Sequence, residues 1–341
     1  MRVLQVSNHF WPCVGGIEKV VQDICSQLEK NGHFTEVVCL NKCPKKNEVL
    51  KEKETVGKIT VNRVPFFDLK YYKIAAKALK FAKSFDAIHV HGIGFFSDFF
   101  LLTKPLHRKP VIISTYGGIF HTKKISVLKW IYFFIWGRFL LNFSDKIVAI
   151  SKNDFELFKK ISNNVVLAEI GVSFDLFKTI EIQREKNNFL FVGRFAPNKR
   201  IEDLIGTFEL VVKEIKNARL FIVGKDQLKM SEKFNSIIRG KNLEKNIFAK
   251  SPKDENELAS FFSKAEFFVS ASSFESFGVS VIEAMHLGAI PILNRIESFQ
   301  NIVSENRDGF FADFSDFKSA AEKIIEVSNI GKAEKKALSE S

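Results

Sequence analysis

The sequence contains no run of about 20 apolar residues that is free of charge, so a membrane-spanning helix is not expected. Cysteine is scarce, and its four copies, Cys13, Cys25, Cys39 and Cys43, all lie near the start of the chain. None forms a C-x2-C pair, and no second cluster completes a zinc site. We therefore expect free thiols in a reducing cytoplasm, and no bound metal.

Other absences narrow the class of protein. There is no internal repeat and no RNA- or DNA-binding motif, so nucleic acid is not expected as a partner. The first residues, MRVLQVSNHF, enter a strand at once, which leaves no room for a secretory signal. The formal net charge of +12 favours anionic partners such as a nucleotide or a membrane surface. We expect a cytoplasmic protein with peripheral contact at the inner face of an anionic membrane.

The order of the segments predicts an α/β protein. At 341 residues the chain is long enough for two domains of roughly 100–200 residues each. Strands alternate with helical segments, which is typical of doubly wound parallel sheets, and the 37 phenylalanines are expected at core positions. The predicted strands are Val3–Asn8, Thr35–Asn41, Ile59–Pro65, Ala87–Gly92, Val111–Gly117, Lys146–Ser151, Asn188–Arg194, Arg219–Lys225, Asn246–Ser251, Phe267–Ser272 and Ala289–Leu293.

A polar stretch without periodicity, Ser173 to Asn187, separates the two sets of strands and is the candidate interdomain linker. We predict an N-terminal domain over 1–170, a linker over 171–187 and a C-terminal domain over 188–341. Two Rossmann-like halves that face each other place a ligand cleft at the carboxyl ends of both sheets. The Lys/Glu-rich stretch Lys42 to Lys58 is predicted to be a solvated surface loop.

The most informative segment is SSFESFGVSVIEAMHLGAIPIL, Ser272 to Leu293. A buried strand leads through a turn at Gly278 into an apolar helix, and the first N–H groups of such a helix favour an anion. Glu275 and Glu283 flank this turn, and ionised carboxylates are acceptors that suit hydroxyl groups rather than phosphates. Phosphate on the backbone and hydroxyls on the acids describe a sugar nucleotide. On spacing alone, a loop Glu275 and a surface Glu283 without a role would be the simpler interpretation.

Two further turns could face such a ligand. Arg194 and Lys199 follow a strand and precede an apolar helix, where two cations can neutralise a leaving diphosphate. Gly15 and Gly16 follow the first strand, and two glycines let a ligand approach the backbone closely, although a plain packing turn would also use them.

Together these segments resemble retaining glycosyltransferases of family 4, which have the GT-B fold. The chain has their E-x7-E element at Glu275 and Glu283, a G-R-x4-K element at Arg194 and Lys199, and a GG-x-E turn at Gly15 and Gly16. The resemblance implies that Glu275 contacts hydroxyls of the transferred sugar and Glu283 those of the ribose. It implies also that the donor phosphates lie near the glycine pair, the two cations and the backbone of Phe277, Gly278 and Val279.

The chain departs from the family pattern at a position that the family uses beside the transferred sugar. The run S-T-Y-G-G-I-F-H-T, starting at Ser114, has Tyr116 where the family has a histidine beside the transferred sugar. A phenol with a pKa near 10 is a poor general base, so His121 could take part of that role. His89 and His91 lie at a strand end, and packing is the simpler interpretation for one of them. Arg200 and Ser276 stand where glycines are usual.

The aromatic segment Lys123 to Phe143, KKISVLKWIYFFIWGRFLLNF, permits two interpretations. It is either a core helix of the first domain or a basic, aromatic surface for a bilayer and a lipid-linked acceptor. Family members usually end in a helix that crosses back to the first domain, and the C-terminal sequence shows no such segment.

The resemblance implies a metal-independent retaining transferase without a cofactor, in which the N-terminal domain binds the acceptor and the C-terminal domain binds the nucleotide-sugar donor. Its catalytic candidates are Glu275, Tyr116 and His121. The T-x-G-G-x-F-H-T run is similar to that of exopolysaccharide mannosyltransferases, so the expected donor is GDP-mannose and the expected acceptor a lipid-linked glycan. One alternative is transfer from a UDP-hexose or UDP-N-acetylhexosamine. Another is a non-catalytic GT-B subunit that binds sugar nucleotide or glycan, which the Tyr116 departure motivates.

Overall fold

The computed structural model describes residues 1–13, 15–43, 48–69, 72–117, 130–226, 230–275 and 277–340. It divides into two units, Met1–Gly171 and Val172–Ser341, each with its own hydrophobic core. Among the described residues, no helix has the length and apolar character needed to cross a membrane.

The first unit is built on an eight-stranded sheet in the order β10-β9-β8-β7-β1-β2-β4-β3. All neighbours are parallel except β3 and β4. The strands are β1 Arg2–Ser7, β2 Phe34–Leu40, β3 Lys53–Val56, β4 Ile59–Val64, the separate ribbon β5 Phe67–Asp68 and β6 Lys73–Ile74, β7 Ala87–His91, β8 Val111–Ser114, β9 Lys146–Ala149 and β10 Val165–Leu167. The helices are Gly16–Lys30, Ala76–Ala78 (3-10), Leu79–Ala82, Phe95–Leu102, Lys104–His107, Tyr132–Gly137 (π), Arg138–Leu141 and Lys152–Lys159.

The second unit has a six-stranded, fully parallel sheet in the order β13-β12-β11-β14-β15-β16. Its strands are β11 Asn188–Val192, β12 Arg219–Val223, β13 Ile247–Lys250, β14 Phe267–Ser270, β15 Ile290–Leu293 and β16 Phe310–Phe311. Its helices are Asp175–Phe177 and Pro197–Lys199 (both 3-10), Ile201–Glu214, Ser231–Gly240, Glu255–Lys264, Val279–His286, Glu297–Gln300, Phe317–Ser328 and Lys332–Glu340.

Phenylalanine fills much of this second core. The Phe189 ring lies 4.8 Å from that of Phe267 and 5.0 Å from that of Phe208, which joins two strands to a helix. Phe177, inside the stretch predicted as a linker, is buried against the same unit. The last helix also packs there, because Leu338 is buried and the Lys335 ammonium lies 2.8 Å from Glu266.

All eleven predicted strands are present. Most of them end one to three residues before their predicted end, and the loop begins at that point. The prediction of a loop over Lys42 to Lys58 is wrong where β3 pairs antiparallel with β4. Its charged residues are tolerated because β3 is the edge strand.

The prediction of four free thiols is wrong for Cys13 and Cys43, which form a disulfide with Cα atoms 5.4 Å apart. The loops after β1 and β2 bring the two cysteines together. Cys25 and Cys39 are free and buried, and burial raises the pKa of each thiol to about 12.

Candidate functional site

The second sheet has a switch point between β11 and β14, its two central strands. From β11 the chain runs outward through β12 and β13, then returns to β14 on the other side. The loops after β11 and β14 therefore both lie at the carboxyl edge, where open α/β sheets bind ligands.

Hydrogen bonds join these two loops. The Ser273 amide donates to the Asn198 carbonyl at 2.9 Å, and the Asn198 side chain donates to the Phe274 carbonyl at 3.1 Å. The Lys199 ammonium forms an ion pair with Glu275 Oε1, with side chains 13% and 17% exposed. The structure thus brings together a predicted diphosphate cation and the predicted sugar-binding acid.

Ser272, which the sequence analysis did not single out, orients that acid. Its hydroxyl donates to Glu275 Oε1 at 3.0 Å, and its carbonyl accepts from the Asn294 side chain at 3.0 Å. Glu275 Oε1 thus accepts from two side chains, the Lys199 ammonium and the Ser272 hydroxyl. A serine three residues before the glutamate was the only signal available in the sequence.

The turn after Glu275 has the predicted geometry of a strand-to-helix turn. Gly278 has φ +93° and precedes the helix Val279–His286. A Cβ atom on Gly278 would lie 2.9 Å from Ile302 Cδ1, so a larger residue meets both strain and a contact. Phe277 lies in this turn, and Glu283 lies partly buried in the helix.

The two arginines after β11 differ. Arg194 is exposed, and within the described residues its guanidinium has no hydrogen bond or ion pair. Arg200 donates to Asp203 at 2.5 Å and to the Phe314 carbonyl at 3.2 Å. With φ +50°, Arg200 has the left-handed conformation that glycine adopts most easily, which explains why glycine suits this position.

The first sheet has its switch point between β1 and β7. The loop after β1 contains Gly15 and Gly16, which open the helix Gly16–Lys30. Within the described residues, no atom lies within 4 Å of a Cβ placed on Gly16, while on Gly15 it would meet the flexible Glu18 carboxylate. The backbone at Gly16 is therefore open to an approaching group.

Tyr116 points into a buried polar chain. With φ +49° it is 8% exposed, and its hydroxyl lies 2.9 Å from His91 Nδ1. His91 Nε2 lies 2.7 Å from Gln5 Oε1, and His89 Nε2 lies 2.8 Å from the Ser114 hydroxyl. Burial lowers the pKa of His89 to about 4 and that of His91 well below 6.5, and burial raises the pKa of Tyr116.

Both histidines are consequently neutral. Because Gln5 Oε1 is an acceptor, His91 carries its hydrogen on Nε2 and accepts the Tyr116 hydroxyl hydrogen on Nδ1. In this arrangement both histidines are packed, hydrogen-bonded residues, and the Tyr116 hydroxyl points into the protein interior. His121, the other catalytic candidate, and Ser276 lie outside the described residues.

Asp154, missed in the sequence analysis, holds the turn that carries Tyr116. This buried carboxylate accepts from the Thr115 hydroxyl and, at 2.8 Å, from the Gly117 amide. Burial raises the pKa of Asp154. The signal for it was the helix start Ser151-x-x-Asp154, in which Ser151 caps the Asp154 amide. Among the described residues no group of three His, Cys, Asp or Glu is placed to bind a metal ion.

Two family models match the chain. Residues 14–168 match Glycosyltransferase Family 4, and residues 173–340 match Glycosyl transferases group 1. The GDP-mannose:cellobiosyl-diphosphopolyprenol alpha-mannosyltransferase of Komagataeibacter xylinus is 30% identical over 311 residues, covering 91% of this chain and 79% of that protein. The enzyme of the same name from Xanthomonas campestris is 29% identical over 328 residues, covering 95% and 86%.

Solved structures resemble the chain at lower identity. HepE from Anabaena, in complex with UDP-glucose, matches with a TM-score of 0.76 and 14% identity over 99% of this chain and 92% of that one. Sucrose-phosphate synthase from Thermosynechococcus elongatus matches with a TM-score of 0.74 and 17% identity, over 99% and 92%.

Proposed function

The chain belongs to glycosyltransferase family 4 and has the GT-B fold, and we propose that it transfers mannose from GDP-mannose, with retention, to a lipid-linked glycan. This reaction would serve the synthesis of a cell-surface polysaccharide. Two relatives about 30% identical over more than nine-tenths of the chain are named for a GDP-mannose donor and a diphosphopolyprenol acceptor. We place the reaction in the cytoplasm, at the inner face of the membrane.

The observation that carries the proposal is the ion pair of Lys199 with Glu275 at the switch point of the second sheet. We assign Lys199 and the exposed Arg194 to the donor diphosphate, together with the backbone of the turn from 277 to 279 and the glycine pair at 15 and 16. A diphosphate beside Lys199 would take over the ammonium, leaving Glu275 to accept hydrogen bonds from sugar hydroxyls. Glu283 is assigned to the ribose.

The proposed chemistry uses front-face attack, in which the leaving phosphate oxygen takes the acceptor's proton. Fixed cations favour this route because negative charge grows on the diphosphate as the glycosidic bond breaks. It requires neither a side-chain base nor a metal or other cofactor. An engaged Tyr116 phenol is compatible with that route, and His121 remains a catalytic candidate.

Two other functions rest on particular observations. The fold neighbour HepE was solved with UDP-glucose, which favours a UDP-hexose or UDP-N-acetylhexosamine donor as the second candidate. The inward hydrogen bond of Tyr116 to His91 favours a non-catalytic subunit that binds sugar nucleotide or glycan.

The test is a panel of GDP- and UDP-sugars, measured for binding and slow hydrolysis with the wild type and Glu275→Ala. Glu202→Ala is the matched control, because Glu202 forms an exposed ion pair with Lys233 in the same unit. We expect GDP-mannose to bind and to be hydrolysed, with a loss of about 100-fold in Glu275→Ala and none in the control. Selective turnover of a UDP-sugar would favour the second candidate. Binding without turnover, even with lipid-linked acceptor, would favour the third.

A further inference from the structure

The helical segment from Trp130 to Phe143 is apolar on two opposite faces. Its inner face packs into the core of the first unit, where Phe133, Leu140 and Leu141 are each 1% exposed. Its outer face, which we call the aromatic face, is 38–69% exposed and consists of Trp130, Ile131, Phe134, Ile135, Phe139 and Phe143. A soluble surface helix has a polar outer face, so this segment is more than a core helix.

Neighbouring rings of the aromatic face pack against each other. Trp130 stacks on Phe134 with ring centroids 5.0 Å apart, and Phe139 meets Phe143 edge-on at 5.4 Å. Contiguous exposed apolar area of this kind marks a contact with a partner or a membrane.

A groove of about 480 Å³ opens on the aromatic face, lined by Ile135, Arg138, Phe139, Asn142 and Phe143. Among the described residues, Arg138 is the only charged one that lines the groove, and its guanidinium has no ion pair with any of them. The groove thus combines apolar walls with one cation, which suits a group that is anionic at one end and apolar at the other.

The surrounding sequence has one sign of charge. From residue 99 to residue 144 there are seven lysines and arginines and no aspartate or glutamate. The flanking acids are engaged: Asp145 lies 2.6 Å from Lys104, and buried Asp98 accepts from Tyr132 at 2.8 Å and Trp136 at 3.3 Å. These hydrogen bonds to Asp98 hold the helical segment in place, with the aromatic face exposed to solvent.

We propose that the aromatic face inserts into the interface of an anionic bilayer. Arg138 then contacts a headgroup phosphate while Ile135, Phe139 and Phe143 lie among the upper acyl chains. A symmetric contact between two copies would set two stretches of like charge against each other, which disfavours a dimer through this face. Lipid binding here goes beyond the proposed transfer reaction, since it needs no sugar nucleotide.

Flotation with vesicles of phosphatidylcholine alone, or mixed with phosphatidylglycerol, tests the proposal on the full chain. We expect the wild type to float with the mixed vesicles and to lose that binding at high salt. Ile135→Ser with Phe139→Ser should lower the partition coefficient at least tenfold, because each side chain contributes buried apolar area. Arg138→Glu should lower it about tenfold. The matched controls in the second unit are exposed Ile182→Ser and Lys245→Glu, which should bind as the wild type does.

Hydrolysis of GDP-mannose in solution reports the fold of each variant and separates the two proposals. A chain that floats without hydrolysing sugar nucleotides contradicts the proposed function and supports the lipid surface. Failure of the wild type to float, or equal flotation of all variants, overturns the lipid surface. So does a mass measurement in solution showing a dimer that the Ile135→Ser, Phe139→Ser variant dissociates.

Discussion

The buried, hydrogen-bonded chain of Gln5, His91 and Tyr116 makes the stability of the first unit depend on pH. A buried histidine that stays neutral destabilises the folded state at any pH at which the same side chain would be protonated in water. His89 and His91 are two such residues, and their ring centroids lie 4.1 Å apart. The Tyr116 hydroxyl depends on the neutral form of His91, because only an unprotonated Nδ1 can accept its hydrogen. The polar chain and the turn that carries Tyr116 are therefore coupled through protonation.

We expect acid to destabilise the first unit through these histidines. Unfolded histidine titrates near 6.5 and folded His89 near 4, so the unfolded state binds more protons between those values. Stability is then complete above about pH 6.5 and falls as the pH drops towards 4, by up to about 1.4 kcal/mol per pH unit for each histidine. Urea unfolding midpoints measured across this range test the direction.

His89→Gln should flatten the pH profile, since an amide can still reach Ser114 but does not titrate. His33→Gln, at a partly exposed site, is the control and should keep the wild-type slope. Buried Asp98 and Asp154 have raised pKa values and shift stability in the opposite direction, but they contribute equally to both curves. Equal slopes for His89→Gln and the wild type would contradict the prediction.

Gly278 determines how the helix Val279–His286 begins. Gly278→Ala should cost about 2 kcal/mol of unfolding free energy, from the positive φ and the contact with Ile302. Nucleotide binding should weaken as well if the helix start holds the donor phosphate. Urea unfolding and nucleotide titration measure the two effects.

Gly240 provides the control for that substitution. It ends the helix Ser231–Gly240, and within the described residues a Cβ there would meet no atom within 4 Å. Gly240→Ala should be neutral or stabilising by up to about 1 kcal/mol. A Gly278→Ala variant as stable as Gly240→Ala would show that the turn tolerates a side chain.

The turn after β8 is held by hydrogen bonds to the Asp154 carboxylate. Asp154→Asn places an amide where two donors, Thr115 and Gly117, need an acceptor, and should cost about 1–3 kcal/mol. Because the turn lies in the first unit, to which we assign the acceptor, we expect transfer to slow about tenfold while donor affinity stays unchanged.

Asp254→Asn is the matched control, since Asp254 caps an exposed helix start where asparagine serves equally well. Steady-state transfer and nucleotide titration distinguish the two variants. If Asp154→Asn loses donor affinity and stability together while transfer per bound donor is normal, Asp154 has only a structural role.

The positions of the strands could be predicted from the sequence, but the order of the strands in each sheet and the contacts between their loops could not. Buried parallel strands are continuous apolar runs, so β11 and β14 could be located from FLFV and FFVS. Strand order is not a local property, and the Lys199–Glu275 ion pair exists because β11 and β14 are neighbours. The Cys13–Cys43 disulfide depends in the same way on β1 lying beside β2.

Short edge strands were missed for a related reason. β10 has three residues and β16 has two, too few for an alternating or continuous pattern to stand out. The Tyr116 side chain was likewise not predictable, because its direction follows from a positive φ and from His91 on the neighbouring strand.

In the proposed reaction, the second unit holds most of the donor and the first unit holds the acceptor. If the donor is held by the loops at 193–200 and 272–283 and its phosphates also meet the glycine pair at 15 and 16, GDP should slow amide hydrogen exchange at these three places and leave the rest of residues 1–171 nearly unchanged. A nucleotide that binds only the native state raises the unfolding free energy by about 2.7 kcal/mol when its concentration is 100 times its dissociation constant. Lys199→Ala should weaken this protection, because it removes one of the two cations assigned to the diphosphate, whereas Glu202→Ala should retain it. Protection confined to the first unit would contradict the assignment of the donor to the second sheet.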